Sequence, residues 1–163
     1  MNRAFYDNET ITASQTEKYL TFILDDQFYA IPIANVIEII AMQETTKMPD
    51  FPDYVKGVIN LRGTIIPLID VRLRFRKPER EYDARTSVIV VSVNDVQVGF
   101  IVDMVDEVKD IDNSDIADPP KMSGDMQNRY IIGIGKVEGK IVLLLDSNKV
   151  LNEKEIESIA QAL

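Results

Sequence analysis

The second half of this chain repeats the first. Moved forward by 69 positions, Tyr29, Ala30, Ile31, Val36, Glu38 and Ile39 fall on Val98, Gly99, Phe100, Val105, Glu107 and Val108 without a gap. Moved by 76 positions, Gly57, Gly63, Leu68 and Asp70 fall on Gly133, Gly139, Leu144 and Asp146. A chain whose halves share apolar spacing and turn residues is built to fold one small plan twice. The offsets of 69 and 76 differ by seven, which places an insertion in the second half, within residues 114–128.

The repeated plan is a β plan. Short runs of Val, Ile, Leu and Tyr are punctuated every few residues by Asx, Gly or Pro, the pattern of many short strands. Residues 19–24 and 27–31 flank Asp25-Asp26, and 87–93 and 96–102 flank Asn94-Asp95, so each pair reads as a hairpin. Residues 58–61 and 64–69 meet through Arg62-Gly63, and 134–137 and 140–145 through Glu138-Gly139. A glycine there reaches the positive φ that a two-residue turn needs. Asp70 and Asp146 each follow a strand and can N-cap a single helical turn, 71–75 and 147–151. Asn152-Glu153-Lys154-Glu155 reads as a capping box, with Ile156, Ile159, Ala160 and Leu163 along the apolar face of a C-terminal helix. Closing each sheet removes exposed edges, so the expected fold is all-β, two similar small barrels with short helical turns. The expected division is a polar tail at 1–17, barrels at 18–82 and 83–146, and a helical segment at 147–163 packing back on the body.

Composition removes most catalytic chemistry. There is no cysteine and no histidine, hence no disulfide, thiolate, imidazole base or histidine phosphoacceptor. The pairs Asp103/Asp106 and Asp110/Asp112 lack the glycine turn and closing glutamate of a calcium loop and read as solvated charge. Gly133-Ile134-Gly135 is too short and strand-like for a phosphate loop. The basic run Arg72, Arg74, Arg76, Lys77, Arg80 and Arg85 is interleaved with Glu79, Glu81 and Asp83 and has no aromatic platform. It reads as a linker between barrels, and a net charge of −9 opposes nucleic acid and anionic lipid. No metal or cofactor site and no membrane-inserting segment is expected, and the absence of an apolar leader points to the cytoplasm.

Protein recognition remains, and the repeat indicates where. Asn60-Leu61-Arg62-Gly63 stands opposite Lys136-Val137-Glu138-Gly139. Both halves keep glycine for the turn, but only one carries arginine at the tip. The turn therefore does not require it. A guanidinium in that place suits fork-like contacts to carboxylates or carbonyls of a partner. The plainer reading is a solvated charge or a local ion pair with Glu38.

Gly57-Val58-Ile59-Asn60-Leu61-Arg62-Gly63, followed by Ile65-Ile66-Pro67-Leu68-Ile69-Asp70, resembles the hallmark of the CheW-like family of chemotaxis coupling proteins. Ile33-Ala34-Asn35-Val36-Ile37-Glu38-Ile39 upstream, and Gly133-Ile134-Gly135 with 141–146 downstream, extend the likeness over residues 18–151. The resemblance implies two SH3-like five-stranded barrels sharing a core and a scaffold without catalysis. It implies two partners, the cytoplasmic tip of methyl-accepting chemoreceptors and the regulatory domain of the histidine kinase CheA, in membrane-associated receptor arrays. Val36, Glu38, Gly57, Arg62 and Gly63 match the family's receptor-contact positions, and Asn60 is added because it adjoins them. Met42, Met48 and Phe51 are the expected kinase contacts. The chain lacks the histidine-bearing and receiver additions of the fused relatives CheA and CheV, so it reads as the stand-alone form. An adaptor of a related pathway, governing motility or development, is the alternative.

Overall fold

The computed structural model describes residues 15–120 and 129–163. Residues 1–14 of the expected tail and 121–128 of the expected insertion lie outside the described residues. Eleven strands form among those described: β1 Thr16–Leu24, β2 Gln27–Pro32, β3 Val36–Ala41, β4 Val55–Leu61, β5 Thr64–Asp70, β6 Ser87–Val93, β7 Val96–Val102, β8 Met104–Asp112, β9 Ile116–Ala117, β10 Ile131–Val137 and β11 Lys140–Leu145. The helices are α1 Val71–Arg74, α2 Ser147–Val150 and α3 Glu153–Ala162. Strands β4 and β10, and helices α1 and α2, begin and end 76 positions apart, as the repeat requires.

Local chemistry accounts for these elements. All four tight turns place both central residues at positive φ: Asp25 and Asp26, Arg62 and Gly63, Asn94 and Asp95, Glu138 and Gly139. That conformation matches the right-handed twist of the strands it joins, and Asn or Asp tolerates it better than most side chains. Asp70 accepts from the Leu73 amide and Asp146 from the Asn148 amide, capping α1 and α2. The capping box of α3 forms between Asn152 and Glu155. The apolar face of α3 is narrower than the spacing suggested. Ile156 and Ile159 are buried, whereas Ala160 and Leu163 are exposed.

The strand order corrects the expected division at 82/83. One sheet runs β8-β1-β2-β11-β10-β9, the other β3-β6-β7-β5-β4. Each sheet therefore takes its hairpin from one half of the repeat and its remaining strands from the other. Hairpin β1–β2 lies parallel to β11 through β2, and hairpin β6–β7 lies parallel to β5 through β7. A repeat states that two hairpins are alike and leaves open which set of strands each joins. The tail expectation also shortens, because β1 already begins at Thr16, opposite Asp112.

Each sheet closes on itself through the chain that joins its two edges. Thr46, after β3, pairs with Val58 of β4 through two backbone hydrogen bonds of 2.9 Å. In the other sheet Ala117 of β9 pairs with Ile134 of β10. Thr46 and Ala117 are 71 apart, so two of the seven extra residues precede Ala117 and five follow it. Each sheet encloses a small core: Ile59, Ile66, Leu68, Val88, Val90 and Ile101 in one, Tyr19, Ala30, Ile111, Val142 and Leu144 in the other. A larger core lies between the sheets, where Leu20, Phe22 and Leu24 meet Ile89, Val91 and Val93. The exchanged hairpins are thus covered on both faces, which is why they read as continuous apolar runs rather than alternating ones.

Candidate docking site

A bulge in β3 sets the first barrel's mouth. Val36 opposes Val91 and Glu38 opposes Val90, with Ile37 the extra residue between them. The irregularity turns Glu38 to the face of Val90, which lines the barrel's own core, while Val36 packs into the core between the sheets. At the tip of the β4–β5 turn, Arg62 at φ 51° donates through Nη2 to Glu38 Oε1. The pair links the two edge strands of one sheet. The Arg62 side chain is 71% exposed and that of Glu38 27%, so the link contributes at most about 1 kcal/mol.

The second barrel shows what the same mouth looks like without the arginine. Glu107 and Glu138 occupy the places of Glu38 and Arg62, and Lys109, in the place of Ile40, bridges them with Nζ 3.2 Å from each. Its hydrogen bond to Glu107, and then the one to Glu138, raises the Lys109 pKa against a partial desolvation cost. A mouth can therefore be tied by a lysine between two glutamates. The fold does not need a guanidinium at the tip.

The six expected receptor contacts separate into two groups. Glu38, Asn60, Arg62 and Gly63 come together at the tip, with Asn60 Oδ1 accepting the Gly63 amide at 2.8 Å and fixing the turn. Gly57 is buried beneath the closing strand, and a Cβ there would lie 2.5 Å from Thr46 O. Val36 is half-buried against the shared core. Those two residues shape the site from behind. The three expected kinase contacts, Met42, Met48 and Phe51, are each partly buried. Met42 packs on the first barrel's core and Phe51 on the shared core, while Met48 is half-buried. Phe51 also lines, with Tyr54, Ile159 and Ala162, a groove of about 550 Å³ between the 49–52 loop and α3. Burial, then the hydrogen bond to Glu155, raises the Tyr54 pKa.

Sequence reasoning missed a set of exposed aliphatic residues. Ile39 and Ile65 are 44% and 42% exposed, and their repeat counterparts Val108 and Ile141 are 50% and 60% exposed. Ile37, on the bulge, joins them at 46%. The signal was present in 36–41, which is apolar at both phases of the strand except at Glu38.

The charges weighed as catalytic or nucleic-acid features have local partners. Asp103 accepts from Arg72, Asp106 from Thr21 and Asp110 from Lys18, and Asp112 caps the 3₁₀ turn Asn113–Asp115. Arg74 lies 5.1 Å from the Tyr54 ring centroid and donates to Glu155. Among the described residues no three carboxylates converge on a metal position, and no helix is long and apolar enough to cross a membrane.

Known proteins resemble this arrangement closely. Residues 18–155 match the family profile described as CheW-like domain. The chemotaxis protein CheW of Helicobacter pylori is 36% identical over 147 residues, covering 90% of this chain and 86% of that protein. That of Bacillus subtilis is 34% identical over 142 residues, covering 87% and 91%. The crystal structure of the scaffolding protein TtCheW from Thermoanaerobacter tengcongensis superposes with a TM-score of 0.78 at 33% identity, covering 85% of this chain and 96% of that one.

Proposed function

The chain belongs to the CheW-like domain family, and on that premise we propose that it is a non-enzymatic cytoplasmic adaptor coupling methyl-accepting chemoreceptors to the histidine kinase CheA. The observation that carries this reading is the contrast between the two mouths. They share a plan, and one alone presents an exposed guanidinium on a turn held rigid by Asn60. Arg62 and Glu38 form the receptor-facing point, with Ile37 and Ile39 supplying nearby apolar area on β3. Buried apolar surface yields roughly 25 cal/mol per Å² before association costs, so these aliphatic residues supply affinity and Arg62 supplies orientation. Met42, Met48 and Phe51 belong to a second surface, toward the regulatory domain of CheA. Signalling then follows from holding two partners at once, without a chemical step.

The test is a ternary complex. Purified protein is mixed with the CheA regulatory domain and a receptor cytoplasmic-tip fragment, and the mixture is resolved by size-exclusion chromatography. Co-elution of all three is expected. Failure to bind either partner overturns the proposal.

A further inference from the structure

The molecule has two pseudo-equivalent seams where the chain passes between barrels, and they are built from different chemistry. At one, Arg72 follows β5. Its Nη1 donates to Asp103 Oδ2 at 2.6 Å, its Nε to Pro78 O at 3.0 Å, and its Nη2 lies 3.4 Å from Asp25 Oδ1. The same Asp103 oxygen accepts from the Asp25 amide at 2.9 Å and from Arg80 at 3.2 Å. Arg72 and Asp103 side chains are 10% and 7% exposed. At the other seam the repeat places Asn94 for Asp25, Asn148 for Arg72 and Ala34 for Asp103. There a neutral hydrogen bond of 3.2 Å joins the Asn94 amide to Asn148 Oδ1, and Asn35 donates to Ser147 at 3.3 Å. Among the described residues no ion pair stands at that seam in the place of Arg72–Asp103. The buried charges at the first seam are therefore an addition.

The segments that follow the seams differ in the same way. After the neutral seam, α3 is anchored by burying Ile156 and Ile159 in the shared core. After the charged seam, residues 76–85 contain no fully buried residue, and Tyr82 alone packs its ring partly on the first barrel's core. They are held by Arg72 to the Pro78 carbonyl, Lys56 to Glu79, Arg80 to Asp83 and Asp103, and Tyr82 to Asp70.

We propose that the Asp25–Arg72–Asp103 cluster is a charge latch that holds the crossing segment 76–85 against the barrels, so that the segment opens locally when the latch is broken while both barrels stay folded. A buried ion pair replaceable by a neutral one is better suited to fixing a local arrangement than to adding stability. The rim contacts of Lys56 and Arg80 weaken with salt, and the Arg72–Asp103 pair, shielded from water, does so much less.

Trypsin tests this directly, because Arg76, Arg80 and Arg85 lie in the segment and Lys47, Lys109, Lys136 and Lys140 lie in or beside the barrel strands. Arg72→Met is expected to speed native-state cleavage at 76–85 by roughly tenfold while the barrel sites keep their wild-type rates, since only a local opening is released. In wild type, raising salt from 0.05 M to about 1 M gives a smaller acceleration at the same sites. Asn148→Ala, at the neutral seam, leaves cleavage at 76–85 unchanged. If Arg72→Met does not fold, Arg80→Gln serves in its place, with a few-fold acceleration at Arg76 and Arg85. Acceleration of all sites together, or of none, overturns the proposal.

Discussion

Replacing Gly57 by alanine separates a contact role from a structural one. Gly57 sits at φ 146°, a region that residues with a Cβ rarely enter, at a cost of order 1–3 kcal/mol. The added methyl would lie 2.5 Å from Thr46 O, 2.9 Å from Thr45 Cβ and 2.9 Å from Thr46 C, and two of these three atoms are backbone. The chain at 45–46 must therefore move away. That breaks the two 2.9 Å bonds between Thr46 and Val58, each contributing about 1 kcal/mol net. The sum is a loss of about 3–5 kcal/mol, a large part of the 5–15 typical of a domain, and a melting temperature lower by roughly 6–20 °C. Urea unfolding followed by circular dichroism measures the loss, and receptor binding is measured at a temperature where the variant remains folded. A stability change below about 1 kcal/mol with receptor binding abolished would show that Gly57 touches the partner, and the assignment of Gly57 to barrel closure would fail.

Other perturbations have equally definite outcomes. Fragments 15–82 and 83–163, expressed separately, should stay unfolded alone and regain native circular dichroism when mixed, because each barrel draws strands from both; independent folding of either would contradict the exchanged topology. Burial holds the phenols of Tyr19 and Tyr29 protonated up to about 12, above their ordinary 10. The unfolded chain loses those protons first, so the contribution is intact below pH 10 and is lost as pH rises from 10 through about 12; stability flat across that range, with phenolate absorbance rising, would refute it. Asn152→Ala removes the α3 cap and should cost about 1 kcal/mol, read as faster amide exchange at Ile156 and Ile159 with barrel amides unchanged.

The parts legible in the sequence were those set by neighbouring residues. Asp25-Asp26, Asn94-Asp95 and the two X-Gly turns specify hairpins through backbone φ alone. Asp70, Asp146 and Asn152 specify helix starts through one side-chain oxygen each. The family was legible in the motif at 57–70, and the repeat singled out Arg62 at its turn by internal comparison. What escaped depends on distant partners. The hairpins could join either set of strands, and only packing of Leu20, Phe22 and Leu24 against Ile89, Val91 and Val93 places them. Gly57 matches a receptor-contact position by resemblance, and the Thr46 backbone that lies over it is outside any local pattern. Arg72 looked like part of a solvated basic run because Asp103, 31 residues away, is invisible to any local pattern.

Arg62 is what distinguishes one mouth from the other. The direct measurement titrates a receptor-tip fragment and the CheA regulatory domain separately against wild type, Arg62→Glu and the counterpart Glu138→Arg. Arg62→Glu is expected to weaken receptor binding several-fold, leave kinase binding intact and shift stability by no more than about 1 kcal/mol, and Glu138→Arg to leave receptor binding unchanged. Equal receptor affinity for wild type and Arg62→Glu, or equal losses from the two substitutions, would contradict this role of Arg62.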